Sequence, residues 1–85
     1  MPTMAAVEVD GEKLRRLRER KLLSRPELAE IVGMDPDHIG RIERGVTRSP
    51  RMANIRALAA GLEVDAAEFL RPEEWPRELI GDEPL

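Results

Sequence analysis

The 85-residue sequence predicts an all-α domain built from five short helices. Three observations carry that expectation. Turn and helix-start residues divide positions 10–70 into five segments. Within each segment apolar residues recur at three- and four-residue spacing, the signature of one buried helix face. The two-residue alternation of a half-buried strand is not found. The length suffices for one core and not for two. With one Trp, one Phe and no Tyr, that core must be aliphatic.

The first helix is expected from about Asp10 to Lys21, with Leu14 and Leu17 on one face among Arg15, Arg16, Arg20 and Lys21. Ser24 opens the second. Ser24 and Glu27 have the spacing of a capping box, in which each side chain satisfies a free backbone N–H of the other. Leu28, Ile31 and Val32 give this helix its apolar stripe, and Gly33 ends it by entering left-handed geometry without strain. Asp35-Pro36 opens the third helix, since Asp caps and Pro suits the first helical position. This helix is expected to end near Arg44, with Gly45 as its stop. Ser49-Pro50 repeats the start signal for a fourth helix, with Met52, Ile55, Leu58, Ala59 and Leu62 at helical spacing. Asp65 and Glu68 form a further cap-like pair before Phe69 and Leu70, marking the fifth. The domain organisation expected is thus an N-terminal arm over 1–9, a helical domain over 10–70 and an acidic, Pro-rich tail over 71–85.

The net charge of −3 conceals an uneven distribution. Residues 11–56 carry 12 basic and 7 acidic side chains, whereas residues 57–85 carry 2 basic and 8 acidic. A basic body with an acidic tail fits a polyanion-binding face. Other classes find no residues to support them. The absence of Cys removes a disulfide framework and thiolate metal sites, and is compatible with the cytoplasm, the expected location. His38 is the only histidine, so no His-based metal site is expected, and neither a cofactor nor a small-molecule ligand is expected. No apolar run has the length of a membrane span. No Cys/His pair, phosphate-cradling Gly-rich loop or paired carboxylates suggest an enzyme.

The register across the second and third helices is the most specific signal. Ala29 is small where two helices cross closely, Gly33 makes the turn, and Ile39 and Ile42 pack the later helix back on the earlier one. A short turn containing Gly is the connector a helix-turn-helix requires. The segments LRERK from Leu17, LSRPELAEIVG from Leu23, HIGRIERG from His38, Pro50, IRALAAGL from Ile55 and AAEFL from Ala66 together resemble the Cro and phage-repressor-like helix-turn-helix domain, also called the xenobiotic-response-element family. The resemblance spans residues 11–70. It implies a lambda-repressor-like five-helix fold, a homodimer, double-stranded DNA as partner, and a third helix lying in the major groove. It also implies a buried ion pair between Arg18 and Glu43. Leu22 departs from the family, which has a glycine or polar residue there, and this implies a strained or reshaped turn.

A reading helix presents its N-terminal residues to base edges. The base-contacting residues expected here are Asp37, His38 and Arg41. Arg41 suits guanine, whose paired acceptors match its fork, and Asp37 can accept from a cytosine amino group or simply favour the helix start. His38 is compatible with a phosphate, a base or solvent. Gly40 is compatible with close approach either to DNA or to a neighbouring helix. Arg25, Arg44, Thr47, Arg48 and Arg51 are the expected backbone contacts, and such contacts carry most of the affinity. Two readings follow. The first is a sequence-specific DNA-binding transcriptional regulator. The alternative is a protein-interaction module, antitoxin-like or adaptor, in which Asp35 and Asp37 have turned the same fold to a protein partner. In the tail, Trp75, Leu79 and Ile80 suit either a dimer contact or folding back, and the acidic residues around them suit screening of the basic face.

Overall fold

A computed structural model of the chain describes residues 7–71. Among them are four α-helices, α1 (Gly11–Arg20), α2 (Arg25–Val32), α3 (Pro36–Glu43) and α4 (Met52–Leu62), followed by a 3-10 turn at Ala66–Glu68. The tail residues Trp75, Leu79 and Ile80, and the acidic groups around them, lie outside the described residues.

The first three helices start where side chains can satisfy their free N–H groups. The Asp10 carboxylate accepts from the backbone N–H of Glu12 at 3.1 Å and of Lys13 at 3.3 Å. Ser24 and Glu27 form the reciprocal capping box, with Ser24 Oγ accepting from Glu27 N–H and Glu27 Oε1 from Ser24 N–H. Asp35 accepts from Asp37 N–H at 2.9 Å, and Pro36 follows as the first residue of α3.

All four helices end the same way. A residue in left-handed geometry follows each: Leu22 (φ 61°), Gly33 (φ 72°), Gly45 (φ 81°) and Glu63 (φ 61°). The N–H of the next residue then reaches back to a carbonyl in the last turn: Leu23 to Arg18, Met34 to Ala29, Val46 to Arg41 and Val64 to Ala59. This is the Schellman pattern, which normally selects glycine because other residues crowd their own carbonyl there. Leu22 and Glu63 adopt it nonetheless, and Leu22 is 89% exposed. Of the strained or reshaped turn expected at Leu22, the strained form is seen: a regular helix stop carrying local strain.

The core consists of Leu14 and Leu17 from α1, Leu28 and Ala29 from α2, Ile39 and Ile42 from α3, Ile55, Leu58 and Leu62 from α4, with Phe69 and Leu70 beyond the 3-10 turn. Ile31 is the exception on α2. It is 56% exposed, because Leu28 and Ala29 take the inward positions and Ile31 falls at the rim facing Gly61 of α4. Two glycines mark close backbone approaches. A Cβ on Gly11 would land on the carbonyl oxygens of Ile42 and Glu43, and one on Gly61 would overlap the Val32 side chain. The start of α1 thus sits against the end of α3, and α4 sits against α2.

Three expectations need correction. The fifth helix is only the three-residue 3-10 turn, and Asp65 makes no side-chain cap. The chain must immediately bury Phe69 and Leu70, so a longer helix would carry them out of the core. The fourth helix begins at Met52, not at Ser49-Pro50, and no side chain caps it. Pro50 is itself buried, and the backbone stays extended through Arg51. Finally, the end of the arm belongs to the domain. Val7 and Val9 are core residues, Val9 forms an antiparallel bridge with Leu70, and Asp10 N–H donates to the Phe69 carbonyl.

One polar group lies inside this packing. Arg18 of α1 and Glu43 of α3 have side chains 8% and 2% exposed. Arg18 Nε donates to Glu43 Oε2 at 2.6 Å, and Nη2 donates to Oε1 at 3.0 Å. Arg18 Nη1 donates to the Leu23 carbonyl at 2.8 Å. The hydrogen-bonded carboxylate holds the guanidinium above its ordinary pKa, outweighing the opposing effect of burial. The two-point geometry fixes α3 relative to α1 and to the turn between α1 and α2.

These contacts set three expected outcomes in thermal or urea melts. Arg18→Ala strands a buried carboxylate and a carbonyl, and destabilises the domain by about 3–5 kcal/mol. Gly11→Ala forces α1 away from the α3 backbone and costs about 1–3 kcal/mol. Leu22→Gly relieves the left-handed strain at an exposed site and stabilises by about 1 kcal/mol. A destabilised Leu22→Gly variant would show that the leucine side chain is held by contacts worth more than the strain.

Candidate nucleic-acid interface

On α3 the residues divide by helical spacing. Ile39 and Ile42 are fully buried. Asp37, Arg41 and Arg44, spaced by four and three, form an exposed row on the opposite side. His38 is half-buried at one flank of this row, and Gly40 lies buried at the other. Asp35 is accounted for as the cap. The Asp37 backbone N–H is bound by that cap, while its own carboxylate has no hydrogen-bond partner among the described residues. It therefore stands free at the positive end of α3.

The loop after α3 folds back on the helix. The N–H groups of Val46 and Thr47 both donate to the Arg41 carbonyl, at 2.9 and 3.1 Å. Thr47 is half-buried as a result, and Arg48 and Arg51 are exposed. The Arg48 carbonyl accepts from Val9 N–H at 2.8 Å, which ties the loop to the extended segment before α1. Arg25, the first residue of α2, reaches toward α3, with its Nε 3.4 Å from Glu43 Oε1. Arg25 and Arg44 thereby flank Gly40 from two helices.

Pairing separates the basic residues. On the outside of α1, Arg15 and Arg16 bridge to Glu12, and Arg15 also to Glu19. Lys21 bridges to Glu63 at 2.7 Å, holding that exposed carboxylate below its usual pKa, and Arg71 meets Glu8. In contrast, Arg41, Arg44, Arg48 and Arg51 form no ion pair among the described residues. Lys13, Arg20 and Arg56 are also unpaired, but they are single charges on α1 and α4. The four arginines of α3 and its loop are the concentration of unneutralised positive charge. Among the described residues no group of His, Asp and Glu side chains is arranged to hold a metal ion. No described helix is long and apolar enough to cross a membrane.

Two features of this face were not visible to sequence reasoning. The sharing of Glu43 between Arg18 and Arg25 depends on how α1, α2 and α3 meet. The burial of Gly40 depends on side chains arriving from elsewhere. The only sequence signal for the latter is a glycine inside a helix, where it costs about 1 kcal/mol relative to alanine.

Comparison with known proteins agrees with the geometry. The family model for the helix-turn-helix domain matches residues 11–71. Over 58 residues the chain is 40% identical to the HTH-type transcriptional repressor RghR of Bacillus subtilis (strain 168), a match covering 68% of this chain and 43% of that protein. The chain thus spans less than half of that repressor's length. Among solved structures, the restriction-modification controller protein C.AhdI from Aeromonas hydrophila is similar with a TM-score of 0.65 and 38% identity, over 68% of this chain and 86% of that one. The Bacillus subtilis master regulator for biofilm formation, SinR, solved in complex with DNA, is similar with a TM-score of 0.65 and 28% identity, over 67% of this chain and 90% of that one. With its α2–turn–α3 geometry and these likenesses, the chain belongs to the helix-turn-helix domain family, of the Cro/C1-like kind.

Proposed function

We propose that the chain binds double-stranded DNA sequence-specifically as a transcriptional regulator, with α3 in the major groove. The observation that carries this reading is the concentration of unpaired arginines on α3 and the loop behind it, while most of the other basic residues are neutralised by carboxylates. Charge left unpaired on one face is what a polyanion recruits, because each phosphate contact releases condensed counterions. Asp37, His38 and Arg41 are the base-facing residues of this arrangement. Arg25, Arg44, Thr47, Arg48 and Arg51 are the backbone contacts. The exposed Asp37 carboxylate weakens binding generally and accepts from cytosine where the site is right, so it acts as a selector. The protein acts as a homodimer, which places half-sites about one helical turn apart.

The test is enrichment of fragmented genomic DNA on the purified protein at two salt concentrations, followed by sequencing. A shared inverted-repeat motif at both salts is the expected result. Arg41→Ala then relaxes one base position, at about 1–3 kcal/mol, while Arg48→Gln weakens all sequences alike and reduces the salt slope by about one. No enrichment at either salt would overturn the reading and leave a protein-interaction module on the same fold.

A further inference from the structure

Gly40 presents a problem that the fold alone does not solve. It lies beside the exposed row Asp37–Arg41–Arg44, yet it is buried. Two arginine side chains bury it. A Cβ at Gly40 would sit 3.1 Å from Arg44 Nη1 and 3.3 Å from Arg25 Nη1. The two nitrogens are therefore no further apart than the sum of those distances, and like charges converge over one bare Cα.

The surroundings do not neutralise them. Both oxygens of Glu43 accept hydrogen bonds from Arg18, and that carboxylate is 2% exposed. Arg25 approaches it through Nε at 3.4 Å, and among the described residues no side-chain hydrogen bond engages its two Nη groups, which remain for another acceptor. Arg44 has no ion-pair partner among the described residues. Two guanidinium groups thus share one carboxylate while a third has none, and the local charge is positive. Glu43 steers Arg25 from below. Arg44, one turn beyond Gly40, leans back over it as helical side chains do.

We infer that Gly40 is the seat of a two-arginine clamp, in which Arg25 and Arg44 together grip a single phosphodiester of the bound DNA. Its non-bridging oxygens accept from both guanidinium groups, and its charge relieves their mutual repulsion. Glycine lets the two groups close together, since a Cβ at this position would press both guanidinium ends outward by a few tenths of an ångström. Gly40 is a positioning residue, and Arg25 and Arg44 make the contact. This rests on the DNA-binding reading above and adds which two residues share one phosphate, and why α3 contains a glycine.

The test is the salt dependence of binding to double-stranded DNA by the full chain, comparing wild type with Arg25→Gln, Arg44→Gln, the double variant and Gly40→Ala. Counterion release contributes a log–log slope of about 0.9 per neutralised phosphate. With one shared phosphate, each single variant binds several-fold more weakly but keeps nearly the wild-type slope, and the double variant loses about one unit of slope. Gly40→Ala also binds several-fold more weakly, yet melts no lower than wild type, because alanine favours the helix. A double variant that loses about two units, or none, would overturn the clamp, as would wild-type affinity in Gly40→Ala. If Gly40→Ala is destabilised, the arginine variants decide the matter alone. A wild type that does not bind DNA overturns the DNA-binding reading and the clamp together, whereas a wild type that binds with two separate phosphates overturns only the clamp.

Discussion

The position of α3 depends on the buried pair of Arg18 and Glu43. Apolar packing of Ile39 and Ile42 against Leu14, Leu17 and Leu28 holds α3 in place but tolerates sliding, since one aliphatic contact resembles another. The ion pair does not. Its two short hydrogen bonds fix the end of α3 against α1, and a third, to the Leu23 carbonyl, fixes the turn into α2. Removing two charges from water is expensive, and an apolar pair of equal volume is often as stable. Here such a replacement would also leave the Leu23 carbonyl without its donor. The pair is better understood as setting register, and the register decides where Arg25, Arg41 and Arg44 stand.

Much of the fold was legible, and the reason is local. Asp10, Ser24 and Asp35 act as caps through short-range hydrogen bonds that depend only on neighbouring residues. Gly33 and Gly45 end helices because the left-handed conformation selects glycine. The same chemistry explains the failures. Leu22 and Glu63 make the same stop with the wrong residue, so the first helix end is marked only by its departure from a family pattern and the fourth is unmarked. Ser49-Pro50 carries a start signal that burial of Pro50 overrides. Asp65 and Glu68 look like a cap, but Phe69 and Leu70 must turn inward at once. Val7 and Val9 are core residues in a segment too short to show a period.

The site was legible in outline and not in its charges. Helical spacing places Asp37 and Arg41 on the face opposite Ile39 and Ile42, so the exposed row follows from the sequence. Which arginines are free does not follow. Arg15 has Glu19 four residues after it and Arg41 has Asp37 four residues before it, yet Arg15 is bridged and Arg41 is not. Glu43 is one acidic residue in the count of charges, but buried between helices it neutralises Arg18 and orients Arg25. The basic surface is therefore smaller and more focused than the composition indicates.

The bridge between Val9 and Leu70, with Arg71 N–H donating to the Glu8 carbonyl, has a mechanical meaning. The two bridged segments run antiparallel, and the chain arrives and departs at the same end of the pair. Tension applied through the flanks therefore opens these hydrogen bonds one after another, as a zipper, and does not shear them together. Opening the clasp also draws Val9 and Leu70 out of the aliphatic core they share with the four helices. Tugging on the flanks therefore reaches the basic face early, because freeing Val9 also breaks its bond to the Arg48 carbonyl in the loop behind α3.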